Sequence, residues 1–409
     1  MGIKFTKPFG DKDLNRSHKL LNRLDIVGQD SVSHFAKNFL SAETIPDFYT
    51  IEIETNNRCN NDCSFCPANR NNDTRKPKVM DEDIFFTIID QLRAMDYHGH
   101  ICLFSNNEPL LDGRILKFIE LTKKLLPNAP QHLCTNGILL DSEKFSSLVK
   151  NLDKLIIDNY DDNFELIPSV KNVLDKLPHP RDFKCDVEIK MKKKNLKRNT
   201  RAGSAPNRLA EENKFRPQSP CILPFTQMII RPDGTAAKCC NDPLTKMTLG
   251  DLNRQTLREI WRGRIYQEWR KEMLFNGRQN IPGCEFCDVF GLYNILPPHA
   301  EPNEFKRLVK ELSYRKNLGK MYVLDTTPLS KEIFERFGIY GVRFDGFVNI
   351  RDDVRDENYK YVTFEQVIDE RAFIFIPTIN YPDDLFDSIH GTGYRYGKDY
   401  LIYPPEFKI

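Results

Sequence analysis

Nothing in the 409-residue sequence approaches the roughly 20 consecutive apolar positions that a membrane-spanning helix needs. A dominant charge is lacking too, since 60 Lys plus Arg stand against 58 Asp plus Glu and leave a formal +2. No global field draws the chain to nucleic acid or to an anionic membrane, so neither is expected as a partner. Residues 1–8 hold no apolar core and no small-residue cleavage site, so a secretory leader is not expected and the cytoplasm is the expected location. A glycine-rich phosphate loop is also absent, as is any internal repeat in the first 48 residues. What is present is a 40% apolar fraction with 28 Phe and 15 Tyr, enough for two or three globular domains.

Cysteine is the residue in excess. Eleven are too many for an ordinary cytosolic enzyme without a second use for thiols, and the odd number argues against a closed disulfide set. Cys59, Cys63 and Cys66 form a C-x-x-x-C-x-x-C run after the strand-like residues 49–54. This spacing lets three thiolates reach three corners of an iron–sulfur cube and leaves the fourth iron open to a substrate. Three close thiols also suit zinc if a fourth ligand closes a tetrahedron. Cys102, Cys134 and Cys185 lie in apolar strand-like stretches and read as buried structural thiols.

The first cysteine run resembles that of the radical S-adenosylmethionine (SAM) superfamily, in which SAM chelates the open iron. The strand 100–104 ends in Ser105-Asn106-Asn107-Glu108-Pro109, where the family usually carries Gly-Gly-Glu-Pro for the SAM amino group. Asn stands at both glycine positions, and Asn tolerates positive φ less freely. Residues 132–137, ending in Thr135-Asn136-Gly137, resemble the family's Ser/Thr-Asn-Gly strand end beside SAM. Helix-like stretches at 80–96, 114–126 and 164–177 alternate with strands, the last two at 154–158 and 185–190, as in a parallel sheet or partial (β/α) barrel. Cys59, Glu108 and Asn136 each follow a strand end, where such sheets place their active sites. Lys190, opening a basic run over 190–201, joins Asn106, Asn107, Glu108, Thr135 and Asn136 as a candidate cofactor-binding residue. The run holds seven basic side chains and no acidic one, so it suits either a solvated loop or the phosphate of a nucleotide-linked or phosphorylated sugar.

A second set follows: Cys221, Cys239 and the C-x-x-C pair Cys284 and Cys287. Strands at 228–231 and 235–238, turned by Pro232-Asp233-Gly234, can bring Cys221 and Cys239 to one end, and a helix over 256–268 carries the chain to the pair. Four such thiols also suit a zinc ribbon. Their pattern resembles the auxiliary-cluster domain of radical SAM enzymes, called SPASM in its full form and twitch in its shortened form. No cysteine follows Cys287, which matches the shortened form with one auxiliary cluster. Number and spacing look closest to radical SAM dehydrogenases of aminocyclitol ring alcohols. Cys240 is left over, either as a packed thiol or as a hydrogen donor to a substrate radical.

The expected architecture is α/β: an extension over 1–48, a radical SAM partial barrel over 49–215, a SPASM/twitch hairpin and helix module over 216–300, and a small Rossmann-like domain over 315–409. Thr326-Thr-Pro-Leu-Ser330 puts no glycine in the first turn of that last domain, which argues against a dinucleotide. The resemblance implies two 4Fe-4S clusters, SAM, and a 5′-deoxyadenosyl radical that takes hydrogen from an unactivated carbon. A carbohydrate or aminocyclitol carbinol, free or nucleotide-linked, is the expected substrate, with the auxiliary cluster accepting an electron and flavodoxin or ferredoxin supplying the reductant. The alternatives are epimerisation of such a carbon, peptide or protein modification, and a non-catalytic zinc-binding adaptor.

Overall fold

The computed structural model describes residues 3–6, 18–177, 183–196, 199–208, 217–244, 246–289, 300–325, 327–350, 357–378, 381 and 383–403. The chain forms two compact units, one of Met1–Arg16 with Ala36–Val289, the other of Ser17–Phe35 with Phe290–Ile409. No helix among the described residues is long and apolar enough to cross a membrane.

Nine strands form the sheet of the first unit: β1 (Lys4–Thr6), β2 (Thr50–Ile53), β3 (His100–Cys102), β4 (Gln131–Thr135), β5 (Lys154–Tyr160), β6 (Asp186–Lys192), β7 (Gln227–Ile230), β8 (Thr235–Ala237) and β9 (Thr248–Asp251). Their order is β1-β6-β5-β4-β3-β2-β7-β8-β9. From β2 to β6 each strand pairs in parallel with the next in the chain. This is the consecutive βαβ order expected of the partial barrel. The auxiliary hairpin joins this sheet: β7 pairs in parallel with β2, from Thr50↔Gln227 to Ile53↔Ile230, so β8 and β9 prolong the same sheet in antiparallel sense.

The two faces of this sheet differ. Along β5 and β6, Leu155, Ile157, Val187 and Ile189 are buried, whereas Lys154, Asp158, Glu188, Lys190 and Lys192 alternate with them and stay half-buried. A parallel sheet covered on both faces would read as continuous apolar strands. Here the period of two leaves one face polar. Helices Glu82–Ala94, Ile115–Leu125, Ser142–Asn151 and Pro168–Lys176 bury Phe85, Ile88, Phe118, Phe145, Leu148 and Val170. Phe85 and Phe118 stack at 4.0 Å between ring centroids.

Several elements depart from the sequence expectation. The helix expected over 256–268 is two helices, Leu257–Arg262 and Arg264–Phe275, because Gly263 turns extended with ψ 162°. The polar N-terminal stretch contains the helix His18–Leu40, on which Val32, Ala36 and Phe39 are buried at helical spacing.

In the second unit β10 (Met321–Leu324), β11 (Gly346–Val348), β12 (Tyr361–Val362), β13 (Phe373–Ile376) and β14 (Tyr400–Ile402) are all parallel, in the order β12-β11-β10-β13-β14. This is the doubly wound order of Rossmann-like sheets. Asp325, not glycine, takes a positive φ of 63° after β10. Thr327 then caps the helix Pro328–Ile339 by accepting from Ser330 N. Thr326, part of the expected first turn, lies outside the described residues.

Candidate functional site

The loop after β2 carries the first three cysteines, and hydrogen bonds fasten it to the ends of β3 and β4. Glu108 N donates to the Arg58 carbonyl at 2.8 Å, and Asn56 Nδ2 donates to the Glu108 carbonyl at 3.1 Å. The Glu108 carboxylate, 1% exposed, accepts from Thr135 Oγ1 at 2.7 Å, Leu110 N at 3.0 Å and Asn136 N at 2.8 Å. A carboxylate has about four lone-pair directions, so three such bonds fix its orientation and leave room for one more donor. Burial pushes the Glu108 pKa up to about 7, against the pull of these donors.

Asn136 closes the ring. Its Nδ2 donates to Asn60 Oδ1 at 2.8 Å and reaches Cys59 Sγ at 3.7 Å, where Asn61 N also points from 3.5 Å. Neither Asn106 nor Asn107 takes a positive φ, so the turn forms without the glycines. The Asn106 side chain has another use. It donates to the Cys240 carbonyl at 3.1 Å and accepts from Arg201, tying the end of β3 to the auxiliary hairpin.

Four thiols from distant segments, Cys221, Cys239, Cys284 and Cys287, line one cavity together with Arg278. The Cys284–Phe286 turn starts at Gly283, whose φ of 82° suits the residue. Arg201, Ala202 and Gly203 take three successive positive φ values, 49°, 53° and 77°, and a Cβ on Gly203 would meet the Phe286 Cβ at 2.9 Å. Thr200 N donates to Asp288 at 2.9 Å and Arg208 pairs with it at 2.6 Å, so the end of the basic run docks on the C-x-x-C loop. Lys192 pairs with Asp158 at 2.7 Å and Lys194 with Asp62 at 3.1 Å, while Lys197 and Arg198 lie outside the described residues.

The remaining candidates do not all come together. Glu108, Thr135, Asn136 and Cys59 form one hydrogen-bonded set, with Cys63 and Cys66 in the same loop. Lys190 belongs elsewhere, on β6 with its ammonium 3.7 Å from Glu188. Cys240 is not among the cavity-lining residues; its N–H faces Gln227 Oε1 at 3.4 Å and burial pushes its thiol up to about 12. Cys134 is half-buried, whereas Cys102 and Cys185 are buried.

Sequence reasoning missed Glu52 and Glu54, which alternate along the end of β2, and their distant partners. Glu54, fully buried, accepts from Asn106 N at 2.7 Å and from Arg231 Nη1 at 2.7 Å, with Arg75 at 3.5 Å. Glu52 accepts from Gln227 Nε2 at 2.7 Å. The legible signal was two carboxylates at i and i+2 in an otherwise buried strand.

The donor sets fit iron–sulfur groups. Burial pushes the thiols of Cys59 and Cys284 up to about 12 and those of Cys63, Cys239 and Cys287 upward as well. Buried thiols of this kind hold their protons until a metal replaces them. Among the described residues no three His, Cys, Asp or Glu side chains converge on the position of a single metal ion.

Residues 53–163 match the model of the radical SAM superfamily, and residues 221–288 that of SPASM, an iron–sulfur cluster-binding domain. The chain is 24% identical over 242 residues to S-adenosyl-L-methionine-dependent 2-deoxy-scyllo-inosamine dehydrogenase of Niallia circulans, a match that covers 59% of this chain and 93% of that one. Among solved structures it is similar to BtrN in complex with AdoMet and 2-DOIA, with 24% identity, a TM-score of 0.50, and 60% of this chain and 94% of that chain covered. A selenomethionine BtrN in an open conformation matches at 21% identity over the same shares, with a TM-score of 0.45. The chain therefore carries a radical SAM domain, which binds SAM and a 4Fe-4S cluster, followed by a SPASM domain for auxiliary iron–sulfur, and it is a radical SAM enzyme.

Proposed function

We propose that this enzyme oxidises a carbinol carbon of a small aminocyclitol or carbohydrate, with one auxiliary cluster as the electron acceptor. The observation that carries the reading is the convergence of Cys221, Cys239, Cys284 and Cys287 on one cavity. Such a set closes a cluster with protein ligands alone, and a closed cluster serves electron transfer. When bound, SAM on the open iron supplies a hydrogen-abstracting radical and the auxiliary cluster a place for the electron left behind.

The chain's own share is to hold and to exclude. Cys59, Cys63 and Cys66 would ligate the first cluster, while Asn136 and Asn61 direct N–H groups at Cys59 Sγ. Glu108, oriented by Thr135, Leu110 and Asn136, would offer its remaining lone pair to an ammonium such as the SAM amino group. The polar face of β5 and β6, with Lys154, Asp158, Glu188 and Lys190, presents both charge signs to a ligand rich in hydroxyl and amino groups. The Niallia circulans relative, named for its action on an aminocyclitol, supports this substrate class. A flavodoxin or ferredoxin would supply the reducing electron.

The test is anaerobic reconstitution. The chain should be brown, hold about eight irons as two cubes, form 5′-deoxyadenosine from SAM with a reductant, and convert an aminocyclitol to a product two mass units lighter. Replacing Cys59, Cys63 and Cys66 by Ala should remove one cube and all SAM cleavage. A colourless chain with stoichiometric zinc at both cysteine sets would overturn the reading.

A further inference from the structure

Two cations stand by the four-thiol cavity, Arg278 in its lining and Lys238 outside the lining, beside Gly283. Arg278 is only 5% exposed, and donates from Nε to the Ser219 carbonyl at 3.0 Å and from Nη1 to the Val289 carbonyl at 2.6 Å. Its Nη2 is buried and has no hydrogen-bond partner among the described residues. Lys238, 1% exposed, adjoins the cavity residue Cys239 and donates to the Pro282 carbonyl. Neither cation pairs with a carboxylate within 4.0 Å among the described residues. Two nearby carboxylates are engaged elsewhere: Asp242 accepts from Lys246 N at 2.8 Å and Met247 N at 3.1 Å, and Asp288 pairs with Arg208 at 2.6 Å.

Buried, unneutralised guanidinium is costly unless an anion faces it. Carbonyl oxygens satisfy two nitrogens of Arg278 but supply no counter-charge. Four thiolates around the cavity would supply it. The relation also works in reverse: adding an electron to a thiolate-bound cluster adds negative charge, and a fixed cation in a buried, low-dielectric setting makes that addition easier. Net charge, hydrogen bonds to sulfur and exposure are the levers that set such potentials.

We propose that Arg278, assisted by Lys238, raises the reduction potential of the auxiliary cluster and so fits it to accept the substrate's electron. The inference rests on the assignment of Cys221, Cys239, Cys284 and Cys287 as ligands of that cluster. Arg278 is a positioning residue that acts on the cluster and not on the substrate.

Redox titration of the reconstituted full-length chain, followed by electron paramagnetic resonance, tests it. In R278Q and K238M the auxiliary potential should fall by an amount equal to at least tenfold in the reduction equilibrium, ~59 mV for one electron. R278K should recover most of the loss, and the SAM-site cluster should keep its potential in all three. Since Arg278 also ties two carbonyls, R278Q can lose the cluster by unfolding; K238M then decides. Auxiliary clusters present at unchanged potential in R278Q and K238M would overturn the inference and leave the proposed function standing. An unmodified chain with no second cluster would overturn the ligand assignment, and the inference with it.

Discussion

Glu52 lies buried on β2, and that burial pushes its pKa from 4.5 to about 7, against Ser105 and Arg231 pulling it down. The folded chain thus keeps a proton at Glu52 that the unfolded chain gives up near pH 4.5. The contribution to stability is complete below that pH and is lost as pH rises through about 7, up to about 3 kcal/mol in all. Glu52→Gln should flatten this loss, seen as thermal midpoints that differ less between pH 5 and pH 8 than in the parent; an equal difference would remove Glu52 from the account. Cys240 lies nearby in electrostatic reach of Glu52, and with its thiol pushed up to about 12 it stays protonated at neutral pH. An epimerase needs such a hydrogen donor, whereas a dehydrogenase does not. Cys240→Ser, with both clusters retained, should leave formation of the lighter product near normal. An isomer of unchanged mass that disappears with Cys240 would favour epimerisation.

Gly263 decides an element. It separates the helix Leu257–Arg262, opened by the Thr256 and Glu259 capping box, from the helix Arg264–Phe275. A Cβ at this position would come within 2.6 Å of the Glu259 carbonyl oxygen, although its φ of −68° suits any residue. The strain of Gly263→Ala is therefore steric, and a loss of about 1–3 kcal/mol is expected in chemical denaturation. An unchanged midpoint would mean that the two helices can shift apart freely. The N-terminal helix His18–Leu40 teaches a different lesson. Its apolar positions Val32, Ala36 and Phe39 recur at helical spacing, yet polar residues on the other faces hide the pattern from a reading of composition.

At the scale of the whole first unit, Glu54 is the junction. One carboxylate joins the end of β2 to Asn106 after β3, to Arg75 in the cysteine loop's neighbourhood, and to Arg231 after β7, which in turn donates to the Asp242 carbonyl at 2.7 Å. Glu54→Gln would leave the buried Arg231 guanidinium without its carboxylate partner, a loss of about 3–5 kcal/mol, whereas Arg75 keeps its pair with Asp73 at 2.9 Å. Both iron–sulfur groups should then become labile together, read as iron content after gel filtration alongside the thermal midpoint. Loss of one with the other intact would show that the two sites are not held by a common junction.

The cysteine runs, the alternation of strand and helix from β2 to β6, and the glycine-free first turn of the Rossmann-like sheet were legible in the sequence because each is a local pattern. Spacings of three and four residues bring Cys59, Cys63 and Cys66 into one loop whatever the rest of the chain does. Period-two polarity likewise marks the open face of β5 and β6. The tertiary structure decided what lies far apart: Glu54 meets Arg231 across 177 residues and Asn106 meets the Cys240 carbonyl across 134. It also decided that β7 continues the sheet beside β2 and that the three-residue β1, exposed throughout, pairs with β6. Such pairings depend on which surfaces remain free once the helices have packed, and a buried Glu facing an Arg just past the end of another strand leaves no periodic trace in either segment.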